Sequence, residues 1–479
     1  MPSLENIDHF VVLMLENRSF DNLFGWLYTP AEKPGFNGLS GRESNPGPDG
    51  PIRVWPTPDN PQPPAGALAR LSCMPNPDPG EKFEQINQQL FGLHEPGQAP
   101  AGPATMSGFA ASYSTDDVRG RAQDIMHCFQ NGELPALHQL ARNYAVCDGW
   151  FASAPCQTWP NRFFLHTGTA GGYENNEPCA LPFRMPTVFK ALEDHLPHGW
   201  EVYFHDFPQA LTLSDLWDRL DHFRPFSDFL DDARHGNLPS YAFIEPRYFA
   251  DGDWPNDMHP PHDVSYGDQL VAQVYNALRS SPCWSHTMLI VIFDEHGGCY
   301  DHVPPPAAVS PGVTEKWLPE FDFSRYGVRV PAVIASPFIQ PGTVFRSDGP
   351  YPFDHTSVIS TLRKRFGGGP LTARDAAAPD LCMALNLGAP DLSERPAVVA
   401  REVLSDPAGL AAASQAPLND AQQAMYQVMK QLAPLIHGKE LSVASLQSLQ
   451  ACAQGEVKAA AQALDAVPFI RSTLARLLS

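Results

Sequence analysis

The hydrophobic positions of this chain gather first into three short unbroken runs. Residues 9–15 (HFVVLML), 286–293 (HTMLIVIF) and 328–335 (VRVPAVIA) lack polar alternation, so each predicts a strand buried on both faces. Each run ends abruptly: at Glu16 and Asn17, at Asp294 and Glu295, and at Ser336 and Pro337. In open parallel α/β sheets ligands sit beyond the carboxyl ends of the strands, so two of these ends are expected to share one site. Between the runs, segments 134–143, 187–196, 265–280 and 354–366 carry apolar residues at helical spacing. Strand and helix alternate, and the pattern predicts an α/β fold.

Two regions depart from that alternation. Residues 29–105 are dense in Pro, Gly and Asn with little periodicity, which reads as a long excursion from the core, placed to roof the site. Beyond about residue 395 the composition turns to Ala, Gln and Leu, with helical stretches at 418–437, 441–452, 455–466 and 468–478. Asn419 and Asp420 suit N-caps there, and Gly438 and Gly455 suit stops. The chain thus divides into a core domain, 1–394, and a C-terminal helical region, 395–479, fit to pack on the core or on a partner.

Composition narrows the function. With 43% apolar and 18% charged residues over 479 positions the chain is globular, and its 50 prolines imply many irregular loops on a scaffold. A net charge of −21 without clustered Lys or Arg excludes nucleic acid as a partner and disfavours an anionic membrane surface. A lipid partner would be zwitterionic or reached through apolar contacts. Nine cysteines without a C-x-x-C pair read as buried thiols. No run approaches the roughly 18 apolar residues of a membrane span. MPSLENIDHF lacks the basic and apolar segments of a signal peptide, so a cytoplasmic protein and a mature exported form both fit. Peripheral membrane contact and oligomeric state stay open.

Four clusters carry chemistry. Glu16-Asn17-Arg18-Ser19-Phe20-Asp21 brings out a carboxylate and an amide oxygen as hard ligands, although alone it also reads as an Asx turn opening a helix. The paired carboxylates of Asp294-Glu295-His296-Gly297-Gly298 repel unless a cation or shared proton compensates them, and its glycines permit a tight turn and close approach. Asp301 and His302 follow. In Thr158-Trp159-Pro160-Asn161-Arg162, proline near a helix start makes an anion site, with Thr158 facing a phosphate, Arg162 forking onto its oxygens and Asn161 donating to another; a Thr N-cap is the plain alternative. Asn256-Asp257-Met258-His259-Pro260-Pro261-His262-Asp263 offers two imidazoles as metal ligands or general acid, with Asp263 also placed to cap the next helix. His205 reads as structural, while His355 is balanced between structure and function.

Taken in order, these motifs, together with Ile244-Glu245-Pro246-Arg247-Tyr248, Val328-Arg-Val-Pro331 and Asp354-His-Thr-Ser357, resemble the phosphoesterase family of bacterial phospholipases C, plant non-specific phospholipases C and related acid phosphatases, over residues 8 to 367. The resemblance implies an alkaline-phosphatase-like parallel-sheet core sandwiched by helices, followed here by a C-terminal helical appendage. It implies Thr158 as nucleophile, a metal shell of Glu16, Asn17, Thr158, Asp294 and Glu295, and His259 and His262 near the phosphate. Oxygen-rich ligands favour Ca²⁺, Mg²⁺ or Mn²⁺, and nearby imidazoles leave Zn²⁺ open. The expected reaction is hydrolysis of a phosphate ester, with a phospholipid as favoured substrate. A phosphatase acting on soluble monoesters and a non-catalytic binding protein on the same fold are the alternatives.

Overall fold

The computed structural model describes residues 3–478 apart from 48, 57–70, 93–99, 101, 116–117, 318, 394, 396, 404, 438–439 and 442–461. The first apolar run forms β1 (His9–Leu15), and every one of its residues is buried, so the strand sits mid-sheet. The sheet has eight strands. The others are β2 (Ala145–Cys147), β3 (Trp200–Phe204), β4 (Phe223–Pro225), β5 (Tyr241–Glu245), β6 (Thr287–Phe293), β7 (Ala332–Ala335) and β8 (Thr343–Phe345), in spatial order β8-β2-β7-β6-β1-β5-β3-β4. Pairing is parallel except at β7, which runs antiparallel to both β6 and β2.

That reversal corrects one expectation. The third apolar run is a strand only over Ala332–Ala335, and it points the other way. Its carboxyl end, Ser336 and Pro337, therefore lies at the opposite edge from the ends of β1 and β6. What it brings to the functional edge is Arg329, three residues before the strand begins.

Among the helices are α1 (Phe20–Phe24), α2 (Phe83–Phe91), α3 (Pro135–Asn143), α4 (Thr158–Thr167), α5 (Val264–Arg279), α6 (Thr356–Phe366), α7 (Asp420–Leu432) and α8 (Ala463–Leu478), of which α3, α5 and α6 fall where periodicity places them in the core domain. Asp263 caps α5 by accepting from Ser265 N at 2.9 Å, and Asn419 with Gln422 forms a capping box on α7. The expected helix over 187–196 breaks into Val188–Ala191 and a 3-10 turn, Glu193–His195.

At the C-terminus α8 runs unbroken through Pro468, where the sequence suggests two helices. Residues 442–452 of the next expected helix, most of 455–466, Gly438 and Gly455 lie outside the described residues. Met425, Val428 and Met429 of α7 and Ile470 and Leu474 of α8 join the same hydrophobic core as the sheet, so both helices pack on the core. A second, smaller core joins Leu39, Ile86 and Leu90 of the excursion to Phe109, Tyr113, Ile125 and Tyr300. Cys128, Cys147, Cys156 and Cys299 are buried thiols, and no helix among the described residues is long and apolar enough to cross a membrane.

Candidate active site

Register decides which side chains meet. Leu15 of β1 lies beside Phe293 of β6, so the next residues, Glu16 and Asp294, leave the sheet together. Asn17 N–H donates to Asp294 Oδ1 at 3.0 Å, and Glu295 N–H to the same oxygen at 2.7 Å. Asn17 has φ +58°, a left-handed conformation that Asn tolerates better than most residues and that costs free energy outside such turns. Gly297, at φ +57°, lies so close that an added Cβ would fall 2.2 Å from the Asn17 carbonyl oxygen. The glycine expected to approach a ligand thus approaches the other strand end and lets the two motifs close up.

α4 starts at Thr158, with Gln157 rather than Thr158 as its N-cap, and Thr158 Oγ1 donates to Asn17 Oδ1 at 3.4 Å. The positive end of the helix dipole lies at this hydroxyl. The next two residues behave differently from the sequence expectation. Asn161 Nδ2 donates to the carbonyls of Ala154, Cys156 and Gln157, and its Oδ1 accepts from Ala154 N, so the side chain braces the turn before the helix. Arg162 is buried and engages Asp294 Oδ2 at 3.2 Å, Glu16 Oε1 at 3.3 Å and Glu245 Oε2 at 3.5 Å, with Tyr248 beneath the guanidinium. It holds carboxylates in place of the expected phosphate, because it points into the sheet edge, where these acids converge.

The two histidines of the Pro-Pro turn diverge. His259 is fully buried; its Nδ1 donates to Pro260 O at 2.6 Å and its Nε2 faces Glu81 Oε2 at 3.6 Å. His262 Nδ1 donates to Asp257 Oδ1 at 2.7 Å, and its ring lines a neighbouring cavity of about 190 Å³ with Trp254, Tyr266 and Pro417. Asp257 in turn accepts Glu16 N through its carbonyl at 2.8 Å. His355 is packed inside: Trp150 Nε1 donates to its Nδ1 at 3.3 Å and its Nε2 donates to Asp294 O at 2.6 Å. Burial pulls its pKa down to about 4, so it is a neutral prop for Asp294. His205 is likewise structural, its Nδ1 bonded to Glu245 O at 2.9 Å.

One residue at the centre escapes sequence reasoning. Glu81, from the aperiodic excursion, is buried beside Asn17, whose Nδ2 donates to it, and beside Gln157 Nε2 at 3.1 Å. The excursion therefore supplies a wall of the site, as well as part of an outer mouth of about 740 Å³ lined by Asp78, Glu81, Lys82, Pro261, Pro417 and Asp420. The sequence signal was only an acid after Asp-Pro-Gly, with no apolar strand to place it.

The electrostatics are lopsided. Burial pushes Glu16 and Glu295 well above the usual carboxylate range; Arg162 opposes this at Glu16, while Glu81 and Asp294 add to it at Glu295. Burial also raises Asp294, against Arg162. For His259 burial works downward, but Asp78, Glu81 and Glu16 outweigh it and raise its pKa. Glu295 Oε1 is buried without a hydrogen-bond partner among the described residues. Crowded acids with an orphan oxygen fit a divalent cation.

A second acidic cluster lies behind α1. Ligand atoms of Asp21, Asp301 and His302 lie within 4.8 Å of one another. Here Arg329 is already the cation, bonding Asp21 Oδ1 at 2.9 Å and Asp301 Oδ1 at 3.0 Å, and His302 Nδ1 donates to Asp21 Oδ2 at 2.6 Å.

One edge of the sheet thus carries the acids Glu16, Asp294 and Glu295, the hydroxyl of Thr158 at the start of α4 and the buried imidazole of His259. The chain belongs to the phosphoesterase family, whose model matches residues 7–368, and is a phosphoric ester hydrolase. It is 37% identical over 389 residues to non-specific phospholipase C1 of Arabidopsis thaliana, covering 78% of this chain and 69% of that protein. It is 28% identical over 448 residues to phospholipase C B of Mycobacterium tuberculosis, covering 82% and 80%. A solved structure of an alkaline phosphatase superfamily protein from Vibrio parahaemolyticus aligns over 52% of this chain and 63% of that one, with TM-score 0.31 and 14% identity.

Proposed function

We propose that the chain cleaves phosphate esters by in-line attack of Thr158 Oγ1 on phosphorus, with Glu16, Asn17, Thr158, Asp294 and Glu295 holding a divalent cation. When bound, the cation lowers the pKa of the hydroxyl and neutralises charge on the phosphoryl oxygens. Asn17 Oδ1 orients the hydroxyl, and the start of α4 adds its positive end to the developing charge. Arg162 acts by fixing Glu16 and Asp294. His259, nearest the centre of the two histidines, donates a proton to the departing alkoxide as the P–O bond breaks and takes one from the water that hydrolyses phospho-threonine. The observation that carries this reading is the contact of Thr158 Oγ1 with Asn17, whose backbone is bound to Asp294.

The favoured substrate is a phospholipid, giving diacylglycerol and a phosphorylated head group, because the relatives named above are phospholipases C along most of their length. Hydrolysis of p-nitrophenyl phosphorylcholine beside p-nitrophenyl phosphate tests this. Preference for the diester, together with diacylglycerol release from phosphatidylcholine vesicles, is expected. Turnover of the monoester alone would make the protein a phosphatase, and turnover of neither would remove the catalytic reading.

A further inference from the structure

The loop that carries Glu81 is pinned on both sides before it reaches the site. Gln89 Nε2 donates to Gly80 O at 2.6 Å, Gln89 Oε1 meets His296 Nε2 at 2.8 Å, and Phe83 N–H is held by Asn175 Oδ1 at 2.8 Å. Pro79 and Gly80 lie against Gly298, where an added Cβ would come within 2.6 Å of Pro79 Cβ and 2.8 Å of Gly80 O. These contacts drive a carboxylate into a buried pocket that already holds Glu16, Asp294 and Glu295. Once there, Glu81 accepts from Asn17 Nδ2 and Gln157 Nε2. Glu295 Oε2 is used by Gly297 N at 2.8 Å, while Oε1 is buried and accepts nothing among the described residues. Carboxyls crowded together away from water repel unless a cation or a shared proton compensates them.

We propose that Glu81 is a further ligand of the cation held at the strand ends, delivered by the insertion and not by the sheet. The proposal rests on the metal-assisted reading above. The oxygen set then becomes Glu16, Asn17, Glu81, Thr158, Asp294 and Glu295, a hard set that favours Ca²⁺, Mg²⁺ or Mn²⁺ over Zn²⁺. A second consequence is that a bound cation strengthens the docking of residues 79–91, which their own contacts already hold on the core.

The test is Mn²⁺ titration of the metal-stripped full chain, with free Mn²⁺ followed by electron paramagnetic resonance, for wild type, Glu81→Gln and Glu84→Gln. Glu84 is exposed in the first turn of α2, just after Glu81, and controls for the loss of one charge. Glu81→Gln is expected to bind about tenfold more weakly or worse, and Glu84→Gln within about twofold of wild type. Amide hydrogen exchange over residues 80–91 is expected to slow on Mn²⁺ addition in wild type and not in Glu81→Gln. If wild type binds and Glu81→Gln binds within about twofold with the same protection, Glu81 is not a ligand and the phosphoesterase reading stands. If wild type takes up none of Mn²⁺, Mg²⁺, Ca²⁺ and Zn²⁺, both readings fall. Should circular dichroism show Glu81→Gln unfolded, Glu81→Asp replaces it; an affinity equal to wild type then overturns the proposal, and a weakened one supports it.

Discussion

Two acidic clusters lie at the same edge of this sheet, and they are opposites. Around Asp21 and Asp301 each carboxylate is met by Arg329, whose guanidinium also donates to the carbonyls of Asn37 and Asp148, and His302 closes the remaining side. Around Glu16, Glu81, Asp294 and Glu295, Arg162 and His259 are outnumbered, and Glu295 Oε1 has no hydrogen-bond partner among the described residues. Metal-like spacing alone selects the first cluster; satisfaction of charge and hydrogen bonds selects the second. A compact acidic triad with an internal arginine is structure, whereas acids short of cations are built to receive something.

The contrast is sharpened most by removing the proposed nucleophile. Thr158→Ala is expected to lower turnover of the nitrophenyl diester more than about a thousandfold, with Thr158→Ser retaining measurable activity. Stability of the Ala variant should move by less than about 2 kcal/mol, since only one hydroxyl at a helix start is lost. Retention within about tenfold would make Thr158 a structural residue, and the chemistry would lie elsewhere.

Next in size is Arg329→Met, which strands Asp21 and Asp301 without their cation and is expected to cost about 3–5 kcal/mol in urea denaturation. Glu295→Gln in the metal-stripped protein should leave stability unchanged or raise it, because it thins a crowd of like charges. Matching losses in the two variants would erase the distinction between the clusters.

How much of this was legible beforehand follows from what each residue depends on. Glu16, Asn17, Asp294 and Glu295 follow unbroken apolar strands, and parallel register does the rest, so their meeting across nearly the whole core could be read from spacing and strand type. The direction of β7 could not, because an apolar run of four carries no arrow, and with it went the placement of Arg329. The partners of Asn161 and Arg162 were misjudged for a related reason. Helix position says that a side chain is near the phosphate turn, and only packing says that it points into the sheet edge. Glu81 was invisible because the excursion has no period, and its path is set by contacts such as Gly298 on Pro79 that involve distant parts of the chain.

A third kind of buried titratable group tests the same counting of partners through pH. His166 of α4 is buried between Phe189 and Phe243, and neither ring nitrogen has a hydrogen-bond partner among the described residues. Burial, helped by Arg162, lowers its pKa to about 3 from 6.5. Above pH 6.5 it is neutral folded and unfolded and contributes no pH dependence. Between 6.5 and about 3 only the unfolded chain takes the proton, so stability falls as pH falls, by about 1.4 kcal/mol per pH unit from this residue. His166→Phe should therefore gain on wild type on acidification from about pH 7.5 to about pH 5, measured by urea unfolding at each. A difference that stays constant with pH would mean that the ring is charged, or paired, in the fold.

The smallest effect belongs to Lys82 and Asp420, which face each other across the mouth at 3.3 Å with both side chains about half exposed. Lys82→Ala should cost under about 1 kcal/mol, less at high salt. A larger loss would show that the excursion and α7 depend on this pair.

The most direct measurement of the central assignment is acid-quenched single turnover of the full chain with p-nitrophenyl phosphorylcholine, followed by peptide mass spectrometry. Attack by Thr158 is expected to leave a phosphorylcholine adduct on the peptide that contains Thr158, to appear with the nitrophenolate burst, and to be absent from Thr158→Ala. Full nitrophenolate release with an unmodified Thr158 peptide at every quench time, and equal turnover by Thr158→Ala, would contradict it and assign the attack to water.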